Sequence, residues 1–137
     1  MIYRRSKARE VALQLLYRVD LNQKIDTKQA LDFITARLND QLSRDFALLL
    51  FEKTRENIES IDIALTTSAE NWRISRMPAV DRNLLRLSTF ELSHQKETPS
   101  EVILNESIEL AKRFGTADSP SFINGILDKI CSLERPA

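Results

Sequence analysis

The strongest chemistry in this sequence lies in its cations, and they are bunched. Residues 1–18 hold Arg4, Arg5, Lys7, Arg9 and Arg18 against Glu10 alone, a local charge of +4 in a chain of 137 residues whose 20 basic and 20 acidic side chains balance. A polyanion must therefore be held by that cluster and not by the field of the whole molecule, through phosphates whose counterions it releases. On a helical wheel Lys7, Gln14 and Arg18 fall within about 40° of one another, opposite Ala8, Ala12, Leu15, Leu16 and Val19. Glu10 and Tyr17 flank that strip. One reading is a solvated helix face; the other is an arm that grips phosphates and offers Gln14 and Tyr17 to bases.

Phe122 is the next candidate. It sits at the edge of an apolar arc made by Ile123, Ile126, Leu127, Ile130 and Leu133, just after a helix start, with Asp118 and Ser119 in the preceding turn. A ring at that place either joins the core or stacks on a base; five aliphatic neighbours can close the bundle without it, so stacking is the expectation. Gly125 on the same helix costs about 1 kcal/mol relative to alanine, which suggests close approach of another backbone. Glu91 falls within the apolar arc of Val80, Leu84 and Leu87, so it needs an ion-pair partner, for which Arg113 is one candidate. Arg82 and Arg86 share the opposite face of that helix and read as solvated or interfacial.

Other chemistry is excluded by counting. His94 is the only histidine and Cys131 the only cysteine, so HExxH sites, multi-histidine metal centres, cysteine-rich zinc sites and intrachain disulfides are all ruled out. Gly115 and Gly125 open neither a GxGxxG nor a GxxxxGK[ST] loop. Neither His94 nor Cys131 has triad partners. No catalytic residue, metal or cofactor is expected, and a reducing, cytoplasmic setting suits the lone thiol.

These side chains need a scaffold, and composition says that it is helical. Only 2 glycines and 4 prolines leave little turn chemistry for a sheet. Ser6 can cap a helix to about Asn22, Thr27 one to Leu38, and Ser43 one containing the apolar run Phe46–Phe51, which reads as a central helix wrapped by others. The stripe Ile58, Ile61, Leu65 either continues that helix or follows a kink near Asn57. Pro78 opens a helix to His94, the Thr98-Pro99-Ser100-Glu101 capping box opens one that stops at Gly115, and Asp118-Ser119-Pro120 opens the last, to about Leu133. That makes seven helices in one domain, residues 1–137. The six-residue apolar run is far short of the roughly 20 residues that a membrane span needs.

Three blocks taken together resemble the NusB family of transcription antitermination factors. They are Arg4-Arg5-Ser-Lys-Ala-Arg-Glu10 with Ala12-Leu-Gln-Leu-Leu-Tyr17; Met77-Pro-Ala-Val-Asp-Arg-Asn-Leu-Leu-Arg-Leu87 with Glu91-Leu92; and Val102 to Gly115 continuing through Asp118-Ser119 to Phe122-Ile-Asn-Gly-Ile-Leu-Asp-Lys129. The resemblance spans nearly the whole chain and is weakest over residues 23–70. It implies an all-α fold of two packed three-helix bundles, and binding instead of catalysis. It implies pairing with NusE, a ribosomal small-subunit protein, and recognition of boxA RNA in the transcription elongation complex during ribosomal RNA synthesis. Carried over by position, the RNA side is Arg4, Arg5, Lys7, Arg9, Gln14, Asp118 and Phe122, and the NusE side Tyr17, Asp81 and Arg82. Ser6 interrupts what is often an unbroken arginine run, and Pro120-Ser121 stands where a basic residue is common, which points to lower intrinsic RNA affinity. Alternative readings are an interaction module that homodimerises through its RNA face, and the NusB-like module of an RNA cytosine methyltransferase.

Overall fold

The computed structural model describes residues 2–136, with side chains from residue 5 onward, so the reading of Arg4 lies outside the described residues. Seven α-helices follow one another, with no strand among the described residues: α1 (Ile2–Asp20), α2 (Thr27–Arg37), α3 (Gln41–Glu56), α4 (Ile58–Ser68), α5 (Ala79–His94), α6 (Ser100–Phe114) and α7 (Ser119–Glu134). A single 3₁₀ turn, Ile74–Arg76, precedes α5. Helices α1 to α3 pack as one bundle and α5 to α7 as the other, with α4 laid against α5 and α7. Helix α5 touches both bundles, through α1 and α3 on one side and α6 and α7 on the other.

Local chemistry explains the boundaries. The cap of α2 is Asp26, one residue before Thr27, and it forms a capping box with Gln29: its carboxylate accepts from the Gln29 N–H at 2.8 Å while Gln29 Oε1 accepts from the Asp26 N–H at 2.9 Å. Asp40 caps α3 by accepting from the Ser43 N–H at 3.0 Å, so Ser43 lies inside the helix. Asn57 leaves helical geometry (φ −104°, ψ 16°) and separates α3 from α4, which settles the choice between one helix and two. Ser6 does not cap α1, which begins at Ile2; its hydroxyl donates to Glu106. The Thr98–Glu101 capping box does not form either, and Pro99 stands at the start of α6 without a side-chain cap.

The wrapped helix is α5 and not α3. In α3, Ala47, Leu50 and Phe51 are buried while Leu49 and Leu42 face solvent, an ordinary amphipathic pattern. Helix α5 buries Leu84, Leu85, Leu87, Phe90 and Leu92 together with Asp81, Asn83, Ser88, Thr89 and Glu91. Its polar side chains can be inside because most meet a partner there: Ser119 donates to Asp81, Asn83 donates to Asp20, the Ser88 and Ser107 hydroxyls pair, and Arg9 holds Glu91. Among the described residues no helix is long and apolar enough to cross a membrane.

Candidate nucleic-acid interface

The N-terminal cations divide into two kinds. Lys7 is exposed, and Arg5 is half-buried with its guanidinium 4.5 Å from the centroid of Phe46 and Nη1 donating to Thr98 Oγ1 at 3.4 Å. Arg9 is 2% exposed. Its Nε donates to both oxygens of Glu91 at 3.0 and 2.9 Å, its Nη2 donates to Glu91 at 2.8 Å, and its Nη1 donates to Glu106 at 3.1 Å. The expected phosphate contact through Arg9 is therefore corrected: its donors are spent on two carboxylates inside the protein. The same geometry corrects the partner of Glu91, since Arg113 instead pairs with Glu10 at 2.6 Å. Burial pushes the Glu91 carboxyl above its ordinary range, with the hydrogen bonds and charge of Arg9 acting the other way. Sequence carried a signal for this pair: on the wheel Arg9 falls about 20° from Leu16, inside the apolar arc, and Glu91 sits in the arc of α5.

Along α1, Gln14 and Tyr17 open onto one groove of about 590 Å³, shared with Leu13, Phe33, Val80 and Phe114. Tyr17 is 36% exposed at its edge. Arg18 and Arg37 bracket Phe33, their guanidinium carbons 4.6 and 3.4 Å from its ring centroid. The floor is apolar and the rim cationic. Gln14 and Tyr17, which the resemblance divides between two partners, thus face the same concavity.

Asp81 and Arg82 do not reach solvent in the way a contact pair would. Asp81 is 4% exposed and accepts from Ser119 Oγ at 2.7 Å. Arg82 pairs with Asp20 and donates to the carbonyls of Ile74 at 3.1 Å and Met77 at 2.9 Å. Arg86 donates to both Asp62 oxygens at 2.9 Å and sits 3.5 Å from Asp20, so neither arginine is a free surface charge. The expected partner contact through the Asp81 side chain is corrected accordingly, and of the two readings of Arg82 and Arg86, solvated or interfacial, the solvated one is corrected. At Asp20 burial works against ionisation, yet the hydrogen bonds of Arg82 and Asn83 and the charges of Arg82 and Arg86 hold the carboxyl below its ordinary value.

The α6–α7 turn is built around Ser119. Its buried hydroxyl accepts from the Thr116 N–H at 2.9 Å while donating to Asp81. Gly115 ends α6 in extended geometry, and glycine is required by space: a Cβ there would overlap the Ser119 hydroxyl and lie 2.9 Å from the Ala111 carbonyl oxygen. Gly125 has open space where a Cβ would stand, so the expected close backbone approach is absent within the chain. Asp118 is exposed at the head of α7. Phe122 is half-buried, packed on the core and edge-to-face with Trp72, ring centroids 5.3 Å apart at 78°. Trp72, for which the sequence offers no motif, is the more open ring of the two. Arg5 lies by the head of α6 and Phe122 just past its end, so the carried-over RNA residues occupy two ends of a 15-residue helix, about 20 Å apart along its axis.

This architecture has counterparts among known proteins. The chain is similar to the transcription antitermination protein NusB of Trichlorobacter lovleyi, 40% identical over 126 residues, which cover 92% of this chain and 89% of the relative. Among solved structures it resembles T. maritima NusB, with a TM-score of 0.85 and 33% identity over 96% of this chain and 93% of that one. It also resembles a chain in a crystal structure of the antitermination factors NusB and NusE in complex with double-stranded RNA, with a TM-score of 0.88 and 25% identity over 97% and 99% of the two chains. The NusB family profile matches residues 6–132, from within α1 through α2 to α6 and into the last turn of α7, and the chain belongs to the NusB family.

Proposed function

We propose that this protein is a transcription antitermination factor of the cytoplasm that pairs with NusE and binds boxA-type RNA, working by binding and not by catalysis. The observation that carries it is the match to NusB over both bundles, including a likeness to NusB in a complex with NusE and RNA. The site residues fit this reading in a revised set. Arg5, Lys7 and Arg4 supply phosphate contacts at the N-terminal end of α1, and Asp118 and Phe122 form the second RNA contact at the head of α7. Tyr17 belongs to the apolar, cation-rimmed groove, which suits a protein segment, and Gln14 beside it joins the same contact. Asp81, Arg82 and Arg9 act behind these surfaces by fixing the elements that carry them.

The test is a titration of fluorescently labelled boxA-type RNA, followed by anisotropy, with the protein alone and with NusE. RNA should bind more tightly in the presence of NusE. Replacing Arg5 and Lys7 with alanine should weaken different single-stranded RNAs alike and flatten the salt dependence by about 0.7 in the log–log slope for each phosphate no longer neutralised. No RNA binding by the pair, or an unchanged slope, sinks the assignment.

A further inference from the structure

The loop after α4 carries Trp72, the only tryptophan in the chain, and it is 54% exposed. A single exposed aromatic needs no explanation, but this one is held in place and has company. Phe122 meets it edge-to-face, and it lines a groove of about 530 Å³ with Ile74, Ser75 and Glu70. Arg73 and Arg76 follow, both exposed. They are the two arginines, among those whose side chains are described, whose side chains make no hydrogen bond, ion pair or ring contact among the described residues. Each of the other arginines whose side chains are described has at least one such contact, with a carboxylate, a carbonyl, a hydroxyl or a ring.

We infer that the Trp72 loop is a base-stacking site for single-stranded RNA, in which a base lies on the open face of the Trp72 indole and Arg73 and Arg76 take the flanking phosphates. The inference rests on the RNA-binding reading above and extends it, because the indole continues the surface that begins at Phe122. Aromatic faces stack any base, so the site adds affinity and not sequence preference. Two unneutralised guanidinium groups beside an open ring, against Glu70 alone, match a polyanion with exposed bases. Exposed tryptophan and arginine also mark protein hot spots, and the experiment separates the two.

Because Trp72 is the sole tryptophan, selective tryptophan excitation reads this position directly. Titrating the full chain with an unlabelled single-stranded boxA-type RNA should quench the emission, with the same midpoint that anisotropy of the labelled RNA gives. Trp72→Ala should weaken binding by roughly 5- to 100-fold, the worth of one stacked base, and Trp72→Phe should retain most of it. Arg73→Ala with Arg76→Ala should lower the salt slope by about 1.4. If Trp72→Ala disturbs Phe122 and the fold, as circular dichroism would reveal, the unaltered protein's quenching and the Trp72→Phe variant still decide. RNA binding that depends on Arg5 and Lys7 but leaves Trp72 emission and the loop variants unchanged overturns the inference while the RNA-binding reading stands. Emission that responds to NusE alone and not to RNA makes the loop a protein contact and overturns it as well. Absence of RNA binding by any form takes both down.

Discussion

Two arginines one helical turn apart on α1 have opposite duties. Arg9 is enclosed between Glu91 and Glu106, so Arg9→Ala leaves a carboxylate buried without its cation and should cost about 3–5 kcal/mol, read as a fall in denaturant midpoint. Arg5→Ala gives up one long hydrogen bond and a ring contact and should change stability far less. The sequence showed that Glu91 required a partner, and the place of Arg9 inside the apolar arc of α1 marked a second buried charge, but the choice between Arg9 and Arg113 is made by the crossing of α1 and α5, which the pattern of either helix alone does not record. Asp20 adds a pH dependence with a definite sign. Its carboxyl is held below the unfolded value of about 4, so it contributes stability that is full above that pH and is lost as pH falls through its lower folded-state value. The stability difference between the protein and its Asp20→Asn variant should therefore be largest near neutrality and shrink on acidification below about pH 4. A difference that stays constant from neutrality to about pH 3 contradicts the ion-pair role of Asp20.

The two glycines test the element scale in opposite directions. Gly115→Ala drives a methyl into Ser119 and the Ala111 carbonyl and should destabilise by about 1–3 kcal/mol. Gly125→Ala meets nothing within the chain and removes a flexible residue from the interior of α7, so it should stabilise by about 0.5–1 kcal/mol. Urea midpoints at unchanged slope check both. Helix number and most boundaries were legible to within a few residues, because caps and apolar spacing are local signals. The identity of the central helix was not. An apolar run drew attention to α3, whereas α5 is buried through hydroxyls, an amide and carboxylates that find partners on α1, α6 and α7, and a hydrophobicity pattern scores those residues as surface. The same blindness hid Trp72, which lies between two helices in a segment with no period to read.

For the molecule as a whole, α5 is common property. Both bundles lean on it, so neither should persist without it, and helical signal and Trp72 fluorescence should change together in one urea transition. Two separate midpoints would show that the bundles are independent domains. The proposed RNA contacts sit at two ends of α6, which makes ligand length matter: an oligonucleotide too short to bridge them can hold only one, and affinity plotted against RNA length should rise in a step when the second is reached.

The bond between Ser119 and Asp81 has a consequence for how the surfaces behave together. It ties the head of α5, whose Val80 borders the Tyr17 groove, to the turn that presents Asp118. A ligand that settles in the groove and shifts the head of α5 must also shift that turn, so the two sites share one free energy of coupling. Such coupling is reciprocal. Whatever factor NusE adds to the grip on RNA, RNA must return to the grip on NusE, and measuring either one determines the other.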